Sequence, residues 1–412
     1  MFKIIKIIKR EEKLFWLLAF FIYGVPNILT FLGSLNSQKI LVDEKDIWLT
    51  SSSFDLINCI IGVVFSLVFL SFYLSRCVDK FFPLKNQREV FPRMVGVLVF
   101  ALQALDAVAL FSSDYGRVGG SSTSSSFIAI AVSYLNPGAI FLVYYGHARE
   151  KKFPYLNFLI FILITMARGW SGFWLILFFI EFYYWAKYLP LKRTIFRSVM
   201  VVFVGLAIYP VTQAIKVEVR GAVLVESKDF YSSMNSLLNR LQFYSNVVLL
   251  SQESRSLKAD IDGNRILPFY ADNQIAEKVM TILGINFRPP SLQKIITIQY
   301  LIDIKNIPML SVLEDFSWYS TVGIAGWFFV LSWIYIPLFI IFVLFIAAFP
   351  YWFAGRFIGA RSIIPVLHAI SLVYLYNGWF SPQIGFTIGL IIYSYIFHIG
   401  RGRLSLKNKR NR

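Results

Sequence analysis

"PYLNFLIFILITMARGWSGFWLILFFIEFYYWA", residues 154–186, decides the fold. Two apolar runs flank one arginine, Arg168, which stands between Ala167 and Gly169 far from other charge. An arginine in such a run is costly unless it reaches water or a partner. From Pro154 to Arg168 is fourteen residues, or about 21 Å at the helical rise. The hydrocarbon core of a bilayer is about 30 Å thick. The helix ending at Arg168 is therefore short, and the arginine lies at or just below the outer surface. Gly169 and Gly172 let the chain turn tightly and re-enter, which makes the motif a recessed hairpin tip. An arginine that only snorkels to headgroups needs no such room. The flanking glycines and Ser171 leave space for a large group, and a phosphate is the natural partner for a guanidinium fork at that depth.

The rest of the chain has the same character. Of 412 residues, 57% are hydrophobic and 15% charged, with a mean hydropathy of +0.63. Soluble domains hold roughly 45–50% apolar residues, so the chain reads as an all-α polytopic membrane protein. Ten spans are expected, near 14–33, 54–74, 94–111, 127–146, 154–167, 172–187, 199–213, 320–346, 362–379 and 382–398. The basic start, "MFKIIKIIKREEK", precedes an apolar run without an A-x-A-like cleavage site, so it reads as a retained first span. Cys59 falls inside a span and Cys77 just after one, which predicts no disulfide framework.

The formal charge of +17 invites a nucleic-acid reading, but its distribution removes it. With the N-terminus inside, the cytoplasmic segments hold 25 Lys and Arg and the short outer loops hold 4. That asymmetry is the positive-inside pattern of a membrane protein. It places both termini in the cytoplasm and makes 399–412 a basic cytoplasmic tail. The expected organisation is seven spans over 1–213, an extracytoplasmic segment over 214–317 and three spans over 318–398.

The segment 214–317 carries 11 Lys/Arg and 11 Asp/Glu, a balance that long translocated domains tolerate. Phe230, Met234, Leu237, Leu241, Tyr244 and Val248 recur at three and four, one face of a helix begun at Ser227 or Asp229. A second amphipathic piece runs through Ile275, Val279, Ile282 and Leu283 to Gly284, and Ser291 can cap a third. These helices predict a lid over a site in the membrane rather than an inert cap. No internal repeat is present, which argues against the duplicated transporter folds.

Candidate chemistry gathers on the outer side. Arg220 follows the seventh span, and Arg240 borders the apolar helix face beside Tyr244. Glu314 and Asp315 precede the eighth span. Arg288 is a further outer cation, and Tyr244, Trp318 and Tyr319 are candidates to stack on sugar faces. Asp106 is expected to be buried and paired with an arginine, and Glu181 to reach a neighbouring helix or the inner side. His368 is expected to bond between helices. His147 and His398 stand at cytoplasmic ends, so any outer general base is a carboxylate, a tyrosine or water. There is no Gly-rich loop ending in Lys of the nucleotide-binding kind, and three scattered His with two Cys make no metal cluster. No cofactor is expected.

With these features the chain resembles the O-antigen polymerase family, integral membrane glycosyltransferases of the GT-C type. The resemblance is carried by "RGWSG" (168–172), Arg220-Gly221 at the start of the outer segment, "NRLQFYS" (239–245) and "DFSWYSTVGIAGW" (315–327). The chain lacks the outer histidine of the related ligases, which favours polymerase over ligase. The resemblance implies a growing glycan on undecaprenyl diphosphate as donor and a lipid-linked repeat unit as acceptor. It also implies a chain-length regulator and a flippase as protein partners. Arg168, Arg220 and Arg240 would stabilise the diphosphate, and Glu314 or Asp315 would serve the attacking hydroxyl. Arg288, Tyr244, Trp318 and Tyr319 would contact substrate, with no metal. Two alternatives remain beside it. One is another lipid-linked glycosyltransferase using the acidic loop at Asp43, Glu44 and Asp46. The other is a flippase of lipid-linked sugars.

Overall fold

The computed structural model describes residues 9–42, 45–82, 93–113, 132, 135–149, 155–168, 170, 172–219, 241–263, 292, 295 and 321–410. Their architecture is helical. Helix α1 (Arg10–Ala19) passes through a π-helical turn (Phe20–Gly24) into α2 (Val25–Ser37). Strands β1 (Lys39–Val42) and β2 (Lys45–Trp48) follow, then α3 (Ser53–Phe81) and α4 (Arg93–Ser113). Next come α5 (Pro137–Ala148), α6 (Tyr155–Ala167), α7 (Gly172–Tyr188) and α8 (Leu191–Val219). Two short helices, α9 (Tyr244–Gln252) and α10 (Ser254–Asp262), precede α11 (Gly323–Val330) and α12 (Tyr335–Phe353). The chain closes with α13 (Ile364–Tyr376) and α14 (Phe380–Arg410).

Six segments are long and apolar enough to cross a membrane: Arg10–Ser37, Ser53–Phe81, Met94–Ser112, Leu191–Val211, Tyr335–Ile358 and Phe380–Gly400. Helices α5, α6, α7 and α13 are shorter. Two of them are enclosed by protein. Every residue of α13 is buried, and so is every residue of α5 except Gly138. A helix apolar on all sides belongs in the middle of a bundle, and α13 lies there, against α3, α5, α7, α12 and α14. Among the long spans, α8 sits at the other extreme. Only Thr194 and Ser198, near its start, are buried along Leu191–Val211.

Side-chain contacts set the relative helix directions. Arg10 Nη2 donates to Leu189 O (3.3 Å), so the start of α1 meets the end of α7. The Tyr73 hydroxyl donates to Leu344 O (3.1 Å), and further along both segments Gly355 meets the Phe81 backbone, so α3 and α12 run alike. His147 Nδ1 meets the Tyr393 hydroxyl at 2.8 Å, near the end of α5 and midway along α14, while Ala139 packs on Gly389 further back. These two also run alike.

Three features depart from the expected elements. Strands β1 and β2 form an antiparallel hairpin between α2 and α3, with Lys39 opposite Trp48 and its ammonium 4.2 Å from the ring centre. The fold is therefore helical with one small ribbon, made where a cross-strand cation–π pair and the buried Ile40 stabilise it. The eighth span, expected over 320–346, is broken. Helix α11 stops at Val330 and α12 starts at Tyr335. In the break, Ser332 donates to Asp262 of α10 (2.7 Å) and Trp333 stands 82% exposed. Helix α11 packs on α9, α10 and α3. Third, of the continuous helix expected from Phe230 through Val248, residues 230–240 lie outside the described ones, and the remainder is not continuous, since Gln242 and Phe243 are not helical and α9 starts at Tyr244. The cause is Asn27, fully buried on α2, whose Oδ1 accepts from the Phe243 and Tyr244 backbone N–H groups (3.0 and 2.8 Å). It satisfies the orphan donors that begin α9.

Candidate functional site

The two helices expected on either side of Arg168 are present, α6 ending at Ala167 and α7 beginning at Gly172, while residues 169 and 171 lie outside the described ones. Helix α6 ends as the Arg168 N–H donates to Ile164 O (3.0 Å) and the Trp170 N–H donates to Thr165 O (3.1 Å). The second bond is a six-to-one closure of the kind that ends helices. A Cβ on Gly172 would lie 2.9 Å from the Trp170 indole nitrogen, so the ring covers the start of α7.

Three polar contacts join α4 to α6. Asn157 Nδ2 donates to Gly96 O (3.0 Å), Gln103 Nε2 donates to Asn157 O (2.9 Å), and Arg168 Nη2 donates to Asp106 Oδ1 (2.5 Å). Both helices climb together from Gly96 and Asn157 to Asp106 and Arg168, so they run parallel. Helix α4 continues seven residues beyond Asp106, about 10 Å. The hairpin tip is recessed by that distance from the end of α4.

The ion pair is asymmetric. Asp106 has only 3% of its side chain exposed, while Arg168 has 19%. Arg168 uses one nitrogen, and its Nε is buried with no partner among the described residues. A second arginine shows the contrast. Arg149 Nε and Nη2 donate to both oxygens of Glu181 (2.8 and 2.9 Å), and the Tyr145 hydroxyl also donates to Glu181. Hydrogen bonding to Glu181 raises the Arg149 guanidinium above its ordinary range. Leaving a buried donor unmade costs roughly 1–3 kcal/mol, more for a charged group. Such a vacancy on Arg168 marks a place where an acceptor would be gained.

Of the sequence-predicted site residues, Arg168 and Tyr244 fall among the described ones. Arg220, Arg240, Arg288, Glu314, Asp315, Trp318 and Tyr319 lie outside them. Tyr244 is fully buried. Its ring meets Phe31 edge-on and its hydroxyl lies 3.2 Å from the Ser34 hydroxyl. Burial pushes that hydroxyl up to about 12. In this arrangement its ring presents no open face to a sugar, because α9 is seated by its N-terminus on α2.

The other polar residues fall close to expectation. Asp106 is buried and paired, with Arg168 as the partner. Glu181 reaches Arg149 beside α5, and His368 Nδ1 meets the Tyr351 hydroxyl at 2.8 Å between α13 and α12. Gln103 was not anticipated. Its spacing of three from Asp106 puts both on one face of α4, a signal present in "LQALD" (102–106). No group of three or more His, Cys, Asp or Glu that would hold a metal ion occurs among the described residues. No protein-family model, curated protein or solved structure matches this chain.

Proposed function

We propose that this chain polymerises undecaprenyl-diphosphate-linked oligosaccharide repeat units into O-antigen or a similar surface polysaccharide. It would act at the outer face of a bacterial inner membrane, with ten spans and both termini in the cytoplasm. The observation that carries the reading is the Arg168 fork: recessed, partly reachable, and one donor short of a partner. A diphosphate bears oxygen acceptors that would complete it.

In the reaction, a hydroxyl oxygen of the acceptor unit attacks the anomeric carbon of the donor glycan. The bond from that carbon to the diphosphate breaks, and its electron pair leaves with the lipid diphosphate. The hydroxyl proton passes to a carboxylate, assigned to Glu314 or Asp315. Arg168, with Arg220 and Arg240, stabilises the charge that grows on the diphosphate as the bond breaks. Two large substrates must also be held in line, which suits the lid assigned to the outer segment.

The test is reconstitution in detergent. Purified protein given lipid-linked repeat units should produce a glycan ladder without any sealed membrane. Arg168→Ala should cut the yield by about two to three orders of magnitude, the usual effect of removing one transition-state charge donor, while the protein still inserts. Undiminished ladders from that variant would refute the clamp. One observation favours a flippase instead: the His368–Tyr351 contact lies buried within the bundle, where translocation pathways place such groups. A flippase makes no ladder in detergent.

A further inference from the structure

Resting on the reading of Arg168 as a diphosphate clamp, we propose that Asp106 is its positioning residue. It holds the guanidinium by one bond and leaves the neighbouring donor, Nε, buried and unpaired among the described residues, where a phosphate oxygen that reached it would be its first acceptor. Nε and Nη2 form one edge of an arginine fork. Arg149 spends that edge on both oxygens of Glu181. In Arg168 the same edge is divided: Nη2 goes to Asp106 Oδ1, and Nε has no partner among the described residues. A ligand oxygen arriving at Nε completes the edge without displacing Asp106.

The anchor is rigid because α4 and α6 are held together below it. Gln103 and Asn157, each nearly fully buried, link the two helices through the Asn157 carbonyl and the Gly96 carbonyl. Asp106 therefore cannot shift along α6. The arginine is fixed at its other end by the closing bonds of α6 at Ile164 and Thr165. Fixing both ends of a long side chain removes the rotamer freedom that binding would otherwise have to freeze. The carboxylate also opposes an incoming phosphate by like charge. Position and charge therefore act in opposite directions, and substitutions separate them.

The experiment uses the full chain purified in detergent, with farnesyl diphosphate as the titrated probe and thermal unfolding followed in parallel. Asp106→Ala removes the anchor and should weaken binding about tenfold per folded molecule, the lower end of what losing an outer partner that orients a binding group costs. Asp106→Asn keeps an acceptor for Nη2 and removes the charge, so its affinity should equal or exceed wild type. A purely structural pair would instead lower the unfolding temperature in both variants and leave the affinity of the folded fraction unchanged, which would overturn the proposal. Equal weakening in both variants would overturn it as well. Arg168→Ala serves as the separate control. If it binds the probe like wild type, the clamp reading itself fails. If it loses binding while Asp106→Ala does not, the clamp stands and the positioning role falls. Should Asp106→Ala fail to insert, the exchanged pair (Asp106→Arg with Arg168→Asp) preserves an ion pair across the same helices. It should insert without binding the probe, and wild-type affinity there would overturn the proposal.

Discussion

Arg168 and Arg149 are the same residue type near helix ends, and they are built for different work. Arg149 meets a carboxylate with two parallel bonds, and its charge is fully used. Glu181→Gln should therefore lower stability by about 1–2 kcal/mol, since Arg149 is partly exposed and can turn to water. Polymer yield per folded molecule should stay as in wild type, and unfolding followed by tryptophan fluorescence beside a ladder assay reads both. At Arg168 the demand is for fork geometry as well as charge, so Arg168→Lys should restore only part of what Arg168→Ala loses. Lysine offers a point charge and no planar edge, and a Lys variant as active as wild type would show that charge alone suffices. The recessed arginine was legible from sequence because its neighbours are apolar or small. Its partner was not legible, because Asp106 and Arg168 are sixty-two positions apart and the pairing depends on α4 and α6 lying side by side.

The elements divide by what ends them. Apolar length alone marks α3, α4, α8 and α14. The short helix α9 depends on a cap from elsewhere in the chain. Asn27 supports the start of α9 from 216 and 217 positions away, and no periodicity in "RLQFYSN" reports that. Asn27→Ala orphans two buried N–H groups. Hydrogen exchange at Phe243 and Tyr244 should accelerate, and stability should fall by about 2–4 kcal/mol at the usual cost per unmade bond. Unchanged protection at both amides would place the cap elsewhere. The contact of α11 with the turn after α13 needs glycine on both sides. Gly323 has φ +63 and Gly378 φ +75, and a Cβ on Gly378 would lie 3.1 Å from the Gly323 nitrogen. Downstream, the break before α12 moves the start of that span from 320 to 335. Under the ten-span arrangement, Trp333→Cys should then react with a membrane-impermeant maleimide added from outside, while the buried Cys59 and Cys77 stay silent. A silent Cys at 333 would return the residue to mid-bilayer.

At the scale of the molecule, the helix directions support alternation through the membrane: α1 against α7, α3 beside α12, α4 beside α6, and α5 beside α14. Reporters fused after Lys228 and after Arg410 should therefore report opposite sides, and the same side for both would break the topology. Polytopic helical character was determined by sequence alone, because a bilayer demands long apolar helices whatever they pack against. The loop charge pattern likewise predicts an orientation without reference to any contact. The hairpin at Arg168 belongs to the same class, since glycine and helix-ending chemistry act over a few residues. Only tertiary structure decided that α13 is the enclosed helix, that Asn27 begins α9 and that α11 separates from α12. It alone decided that Arg168 keeps one donor open beside Asp106. Each of these depends on which helices become neighbours, and that is set by shape and polar matching between segments tens to hundreds of residues apart, which no local pattern encodes.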